Sequence, residues 1–230
     1  MPSSENSTTI SSANKEVNGT AFRLAVLMLA AGEGSRAGFL PKTLLKKNGE
    51  TLLNYFCKSV KTLDPVEFIL VTGFYASEIE AEANEIRHRI GVNIRCKRNP
   101  TPKNGQASSV RLGLESFSQN FNALLVALSD QPNIGLHELE NLCIAFKARK
   151  PFQEVVLPIV QVGKESKFQR GNPVLFSSKA IHQILSVPGM TCRDYMDTHP
   201  EKVLKMITND AAYIADIDCQ SDIKKFNLEL

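Results

Sequence analysis

Short segments rich in apolar residues alternate along the chain with longer segments of helical periodicity. The short segments cover residues 24–29, 67–71, 92–96, 123–128 and 154–160 and predict strands buried on both faces of a sheet. The longer segments cover residues 52–62, 76–90 and 136–149 and predict amphipathic helices. Strand and helix in this order predict parallel βαβ units, wound right-handed, with helices covering both faces of the sheet.

Two segments lack this patterning. Residues 1–20 are rich in Ser, Thr and Asn and bury too little apolar surface to offset the entropy of ordering, which predicts a disordered tail. Residues 21–230 are then predicted to form a single domain. Residues 161–169 are polar and are interpreted as a flexible segment that forms a lid or a substrate-binding loop.

Composition narrows the class of protein without naming a function. The net charge of +3 is small, so neither nucleic acid nor an anionic membrane is predicted as a partner. The 5 cysteines are widely spaced and form no C-x-x-C pair, which predicts reduced thiols and a cytoplasmic location. No apolar segment reaches the length of a membrane span, and the first residues lack the apolar core of an export signal.

Residues 24–47 carry the first candidate chemistry. The strand predicted at 24–29 runs into Ala30, Ala31 and Gly32, so backbone N–H groups can approach a phosphate without a Cβ in the way. Arg36 and Lys42 follow and could neutralise the phosphate charge. The spacing of the glycines does not fit the dinucleotide-binding fingerprint, and proline in place of glycine before Lys42 rules out a P-loop.

A second loop lies at the carboxyl end of the strand predicted at 92–96. Asn99 and Gly105 precede a helix whose first turn carries Ser109, and Asn104 is placed to cap that helix. Free N–H groups at this turn would offer hydrogen bonds to a nucleotide.

These motifs resemble one known group of enzymes. L-A-A-G-x-x-x-R followed by Lys42 is similar to the signature of the MobA/MocA-like nucleotidyltransferases, which attach CMP or GMP to molybdopterin. The resemblance implies a three-layer α/β/α sandwich of GT-A-like fold, mostly parallel, with an antiparallel strand at 170–176. It assigns the NTP to residues that belong to both loops: Leu29, Ala30, Ala31, Gly32, Gly34, Arg36, Lys42, Asn99, Gly105 and Ser109.

Two acidic residues complete the predicted reaction site. Asp130 follows the strand predicted at 123–128, where a carboxylate beside a phosphate pocket suits Mg²⁺, although an Asp before a proline turn can also cap a helix. Asp216 and Asp218 alternate along what is predicted to be a short strand, and by the resemblance Asp218 is the second metal ligand and Asp222 caps the last helix. Arg36, Lys42 and Asp130 are the catalytic residues that this comparison implies.

The acceptor half of the sequence departs from the family pattern. Asn172 stands where relatives commonly have His, and Arg193 lies in a segment that lacks the Asp and second Gly usual in the molybdopterin enzymes. Both residues are assigned to acceptor binding. The departure affects the identity of the acceptor and leaves the NTP half intact.

The resemblance therefore implies Mg²⁺-dependent transfer of an NMP from an NTP, CTP favoured over GTP, to a phosphate-bearing acceptor, with molybdopterin as the first choice. One alternative is transfer to a sugar phosphate or a small-alcohol phosphate, because residues 40–45 and 48–53 also resemble those enzymes. Another is a non-catalytic maturation factor that contacts a molybdoenzyme.

Overall fold

The computed structural model describes residues 21–163 and 167–230. The strands are β1 (Leu24–Ala30), β2 (Lys46–Lys47), β3 (Glu50–Thr51), β4 (Glu67–Thr72), β5 (Ile94–Arg98), β6 (Ala123–Leu128), β7 (Val155–Val162), β8 (Lys167–Arg170), β9 (Val174–Ser177) and β10 (Val203–Thr208). The α-helices are α1 (Leu52–Thr62), α2 (Ala76–Ile90), α3 (Gln106–Glu115), α4 (Leu136–Ala148), α5 (Ser178–Ser186), α6 (Cys192–Thr198) and α7 (Gln220–Lys225). The tail predicted over residues 1–20 lies outside the described residues.

The central sheet is mixed and mostly parallel. Its strand order is β10-β7-β9-β6-β1-β4-β5, with β8 paired to β7, and β2 and β3 form a separate small ribbon. β1 is flanked by two parallel neighbours, β4 and β6, whereas β9 runs antiparallel to both β6 and β7. The mostly parallel sheet with an antiparallel strand is thus confirmed. The predicted strand 170–176 is replaced by the end of β8 and by β9, both of which are antiparallel.

β1 lies at the centre of the core because its side chains alternate between two apolar layers. Val26 and Met28 pack on the face covered by α1, α2 and α4, while Ala25 and Leu27 pack on the face covered by α3 and α5. Since both faces of β1 are buried, its sequence is continuously apolar. Helices on both faces make the three-layer α/β/α arrangement that the sequence predicts.

The termini of two helices show why they begin where they do. The Thr51 hydroxyl accepts a hydrogen bond from the Asn54 amide at 3.1 Å, so α1 begins with a satisfied N-cap. α7 begins at a capping box in which the Asp222 carboxylate accepts hydrogen bonds from the amides of Asp218 and Cys219. The predicted cap at Asp222 is confirmed.

Three local predictions are wrong. The described part of the predicted flexible loop 161–169 is the end of β7 and the start of β8, because antiparallel pairing satisfies the backbone whatever the polarity of the side chains. Asp216 and Asp218 lie in an extended segment without a strand partner rather than in a strand. Asn104 does not cap α3; Gly105 is the N-cap residue, without a side-chain bond. In the two described segments of the chain, no helix is long and apolar enough to cross a membrane.

Candidate active site

A cleft of about 430 Å³ opens at the carboxyl ends of β1 and β6. Parallel neighbours bring these ends together: Leu29 of β1 is in register with Leu128 of β6, and Ala30 is in register with Thr72 of β4. The loops that follow these strands therefore meet at one edge of the sheet, where ligands of open α/β sheets bind.

The loop after β1 forms one wall of this cleft, and its backbone shape depends on glycine. Gly34 has a φ of 66°, and a Cβ there would lie 2.4 Å from the Leu40 carbonyl oxygen, so no other residue fits. A Cβ on Gly32 would meet no protein atom within 4 Å. The Tyr75 hydroxyl donates a hydrogen bond to the Glu33 carbonyl at 2.9 Å and holds the loop against α2.

Two ion pairs cross the cleft and join the predicted phosphate-binding cations to the predicted metal-binding acids. Lys42 Nζ lies 2.9 Å from Asp130 Oδ2, with the side chains only 18% and 25% exposed. Arg36 Nη2 lies 3.2 Å from Asp218 Oδ1, at 78% and 58% exposure. Because water screens exposed charges, the Lys42–Asp130 pair is the stronger of the two. Asp130 does not cap α4, whose N-cap residue is Gly135 with Glu138 as the capping partner.

Asp216 is a further acid of the site that the sequence prediction did not select. Burial, together with the charge of Asp130 nearby, raises the pKa of Asp216 to about 6. The position of this acid follows from a backbone hydrogen bond of 3.0 Å between the Ile217 amide and the Asp130 carbonyl. The alternation of acidic and apolar residues from Asp216 to Asp218 was the available sequence signal. It does not indicate which of the two acids is buried in the site.

Polar atoms without partners are concentrated around this cluster. Among the described residues, the buried side-chain atoms lacking a hydrogen bond include Asp216 Oδ1, Gln131 Oε1 and Thr43 Oγ1. Thr43 and Asp216 line the cleft, and Gln131 follows Asp130 directly. Buried acceptors without partners point to a ligand or ion that completes the site.

The donor set fits a divalent cation that arrives with phosphate oxygens. Within residues 21–163 and 167–230, no group of three or more His, Cys, Asp or Glu side chains is placed to enclose a metal ion. Mg²⁺ does not require such a cage, since it commonly takes one or two protein carboxylates together with substrate phosphates and water. Asp130, Asp216 and Asp218 offer hard oxygen atoms of this kind on one side of the cleft.

Most of the predicted nucleotide-binding residues line this cleft. Those that do are Leu29, Ala30, Ala31, Gly32, Gly34, Lys42, Gly105 and Ser109. Arg36 reaches the site through its pair with Asp218. Asn99 does not line the cleft: it is 4% exposed, and its amide donates to the hydroxyls of Ser108 and Ser109, so it positions the first turn of α3.

A second cavity of about 360 Å³ adjoins the first and brings the two predicted acceptor residues together. Asn172, in the turn between β8 and β9, and Arg193, in α6, both line it. Leu29, Gln106 and Leu128 line both cavities, so the two lie next to each other at the end of β1. This arrangement can hold two substrates side by side.

Among the known proteins that resemble the chain are one curated relative and two solved structures. The nicotine blue oxidoreductase of Paenarthrobacter nicotinovorans is 31% identical over 121 residues, a match that covers 53% of this chain and 56% of the relative. The 4-diphosphocytidyl-2C-methyl-D-erythritol synthase of Anaerococcus prevotii superposes with a TM-score of 0.68 at 17% identity, covering 92% of this chain and 96% of that one. The Mycobacterium tuberculosis protein Rv0371c, solved with manganese, superposes with a TM-score of 0.64 at 19% identity, covering 90% and 98%.

The solved structures share the fold of this chain. The match spans about half the length of this curated relative. The family model of the MobA-like NTP transferase domain matches residues 26–203, which contain both glycine-bearing loops and Asp130. The chain belongs to the family of MobA-like NTP transferase domains.

Proposed function

We propose that this chain transfers an NMP from an NTP, with CTP favoured, to a phosphate-bearing acceptor and releases pyrophosphate. One observation carries the proposal: Lys42, a cation suited to a triphosphate, lines one cleft with the carboxylates of Asp130, Asp216 and Asp218, and Arg36 pairs with Asp218. Cations alone would suit any anion, whereas cations interleaved with hard oxygen donors suit a metal-bound triphosphate.

In this reaction an oxygen of the acceptor phosphate attacks the α-phosphorus of the NTP. The bond from the α-phosphorus to the bridging oxygen breaks, and pyrophosphate leaves with that electron pair. Because the acceptor phosphate is already an anion, the site needs no general base. The work of the protein is to hold both phosphates in line and to compensate their charge.

Lys42 and Arg36 would exchange their carboxylate partners for phosphate oxygens of the NTP. The acids released in this way, Asp130 and Asp218 with Asp216 beside them, would hold the metal. Mg²⁺, when bound, neutralises charge on the phosphoryl oxygens. The manganese in the solved Rv0371c structure supports a divalent cation in this role.

We take molybdopterin as the first acceptor to test because of the resemblance in the NTP half of the sequence. A sugar phosphate or a small-alcohol phosphate is the alternative acceptor, and a maturation factor in contact with a molybdoenzyme is the non-catalytic alternative. Oxidoreduction, the activity in the name of the curated relative, is a separate class. The three carboxylates that line the cleft with Lys42 favour phosphoryl chemistry, because hydride transfer does not require a cluster of acids.

A thermal-shift screen tests the proposal. The unfolding temperature is measured with each common NTP, with and without Mg²⁺, and with NADH and NADPH. We expect stabilisation by an NTP that depends on Mg²⁺, its loss in Asp130→Asn, and its retention in Glu140→Gln, an exposed acid on α4.

Release of pyrophosphate with molybdopterin, glucose 1-phosphate or choline phosphate then identifies the acceptor. If NADPH stabilises the protein and no NTP does, or if Asp130→Asn binds and reacts like the wild type, the proposed function is wrong.

A further inference from the structure

The second cavity is apolar where it meets the sheet. Val126 of β6, Leu157 of β7, and Val174 and Phe176 of β9 all line it with side chains that are 9% exposed or less. Met196 of α6 adds to the same wall. A ligand body that enters this cavity therefore contacts hydrocarbon over the sheet side.

Two of the polar side chains that line this cavity are already bonded within the protein. The Arg170 guanidinium pairs with Asp197 at 2.7 Å. The Thr191 hydroxyl donates to Asp194 Oδ2 at 2.8 Å and accepts from the Asp194 amide, so the capping box of α6 uses both of its roles. Neither side chain is free to bind a ligand without breaking a bond.

The remaining polar lining is small. Gln106, Asn172 and Arg193 line the cavity, and their side chains make no hydrogen bond or ion pair with any other described residue. Arg193 is an exposed guanidinium and is suited to an anionic group of the ligand. Among the described side chains that line this cavity, the two amides are then the main groups left to bond polar atoms on the body of that ligand.

These observations decide between classes of acceptor. Resting on the proposed function, we infer that the acceptor is a phosphate ester whose body is an apolar or aromatic ring rather than a polyhydroxylated sugar. A sugar ring of the same size would place several hydroxyls against Val126, Val174 and Phe176, where they lose water and gain no partner. Selectivity of an apolar pocket against a hydroxylated analogue is about 10²-fold.

A matched pair of ligands tests the inference. Cyclohexyl phosphate and glucose 1-phosphate have six-membered rings of similar size and differ in their hydroxyls. Their dissociation constants are measured by calorimetry, with and without Mg²⁺ and a CTP analogue whose α,β-bridge is methylene, which cannot transfer. We expect cyclohexyl phosphate to bind more tightly by a factor of about 10². Equal affinity, tighter binding of the sugar phosphate, or no binding of either overturns the inference.

Variants connect the preference to this cavity. Val110 of α3 lines the cavity and is half-buried, so Val110→Thr adds a hydroxyl at nearly constant shape. We expect it to reduce the preference by about 10-fold. Ile144→Thr, on an exposed position of α4, is the matched control and leaves the preference unchanged. Arg193→Met weakens both ligands by a similar factor and keeps their ratio.

The same titrations separate this inference from the proposed function. If the CTP analogue binds and the sugar phosphate is preferred, the inference fails and nucleotidyl transfer stands. If no nucleotide binds and cyclohexyl phosphate is still preferred, nucleotidyl transfer fails and the apolar character of the cavity stands. An unchanged preference in Val110→Thr assigns the discrimination to another site and overturns the inference.

Discussion

Asp216→Asn should stabilise the protein and at the same time abolish binding of the magnesium–nucleotide complex. In the wild type this carboxylate is partly buried, one of its oxygens has no partner, and Asp130 lies nearby with the same charge. The asparagine keeps the shape of the side chain and removes the charge. The carboxylate of Asp216 is therefore expected to lower the stability of the folded protein and to be required for binding of the ligand.

The size of the effect follows from the pKa of Asp216. A rise from 3.8 to about 6 corresponds to about 3 kcal/mol, at 1.36 kcal/mol per pKa unit. Solvent at the open side of the cleft screens part of this, so we expect Asp216→Asn to raise the free energy of unfolding by about 1–2 kcal/mol near pH 8.

The sign of the pH dependence is fixed by the direction of the shift. Because the folded protein binds this proton more tightly than the unfolded chain does, the destabilisation is complete above the folded-state pKa and disappears as the pH falls. The difference in stability between wild type and variant should therefore shrink between about pH 6 and about pH 4.

Urea unfolding at several pH values measures this difference, with Glu140→Gln on α4 as a control that removes an exposed carboxylate. A thermal-shift titration with Mg²⁺ and NTP on the same samples measures binding. A variant that is less stable than the wild type near pH 8, or whose advantage does not depend on pH, would refute the reasoning. Retained binding of the magnesium–nucleotide complex would remove Asp216 from the site.

The other predictions concern the phosphate cations, the packing under β1 and the thiols. Lys42→Met should weaken NTP binding in the presence of Mg²⁺ by about 10- to 100-fold, because a charge-assisted bond is lost, and calorimetry measures this directly. Gly113→Ala should lower the free energy of unfolding by about 1–2 kcal/mol despite the better helix propensity of alanine, since a Cβ there lies 2.4 Å from Leu27 Cδ1. Urea unfolding measures this change, with the slope against urea expected to stay the same, and a gain in stability would contradict the prediction. Iodoacetamide near pH 8 should modify Cys219 first, and mass spectrometry identifies the modified residue. Burial raises the pKa of the other thiols and keeps them protonated; these thiols belong to Cys57, Cys96, Cys143 and Cys192.

The sequence predicts the sheet core and the helices next to it well, because hydrophobic periodicity decides their positions. The helices at 52–62 and 76–90 have the predicted bounds, and so does the strand at 123–128. β5 begins two residues later than predicted, since Gly91 in the left-handed conformation ends α2 and a turn at Val92–Ile94 follows. β8 has little hydrophobic signal, so only its backbone partner in β7 reveals it.

The site is predicted less completely because its acids depend on long-range contacts. Position along the chain identifies Asp130, since it follows a central strand directly. The orientation of Asp216 depends on the bond between Ile217 and Asp130, which joins segments far apart in sequence. Likewise, nothing in the local pattern around Asn99 shows that Ser108 and Ser109 use its amide. The roles assigned to Arg36, Lys42, Asp130 and Asp218 stay predictions until the binding measurements are made.

In the ligand-free site Lys42 is paired with Asp130, and Arg36 is paired with Asp218. Each of these charges therefore already has a counterion supplied by the protein. Binding of a magnesium triphosphate then exchanges ion partners within the cleft, rather than bringing a free anion to a bare positive patch. Since few bulk ions are released in such an exchange, affinity should depend on ionic strength less steeply than the number of charges implies. Metal and nucleotide should also raise each other's affinity. The nucleotide phosphates bind the cations and release the carboxylates for the metal, and the metal in turn releases the cations for the phosphates.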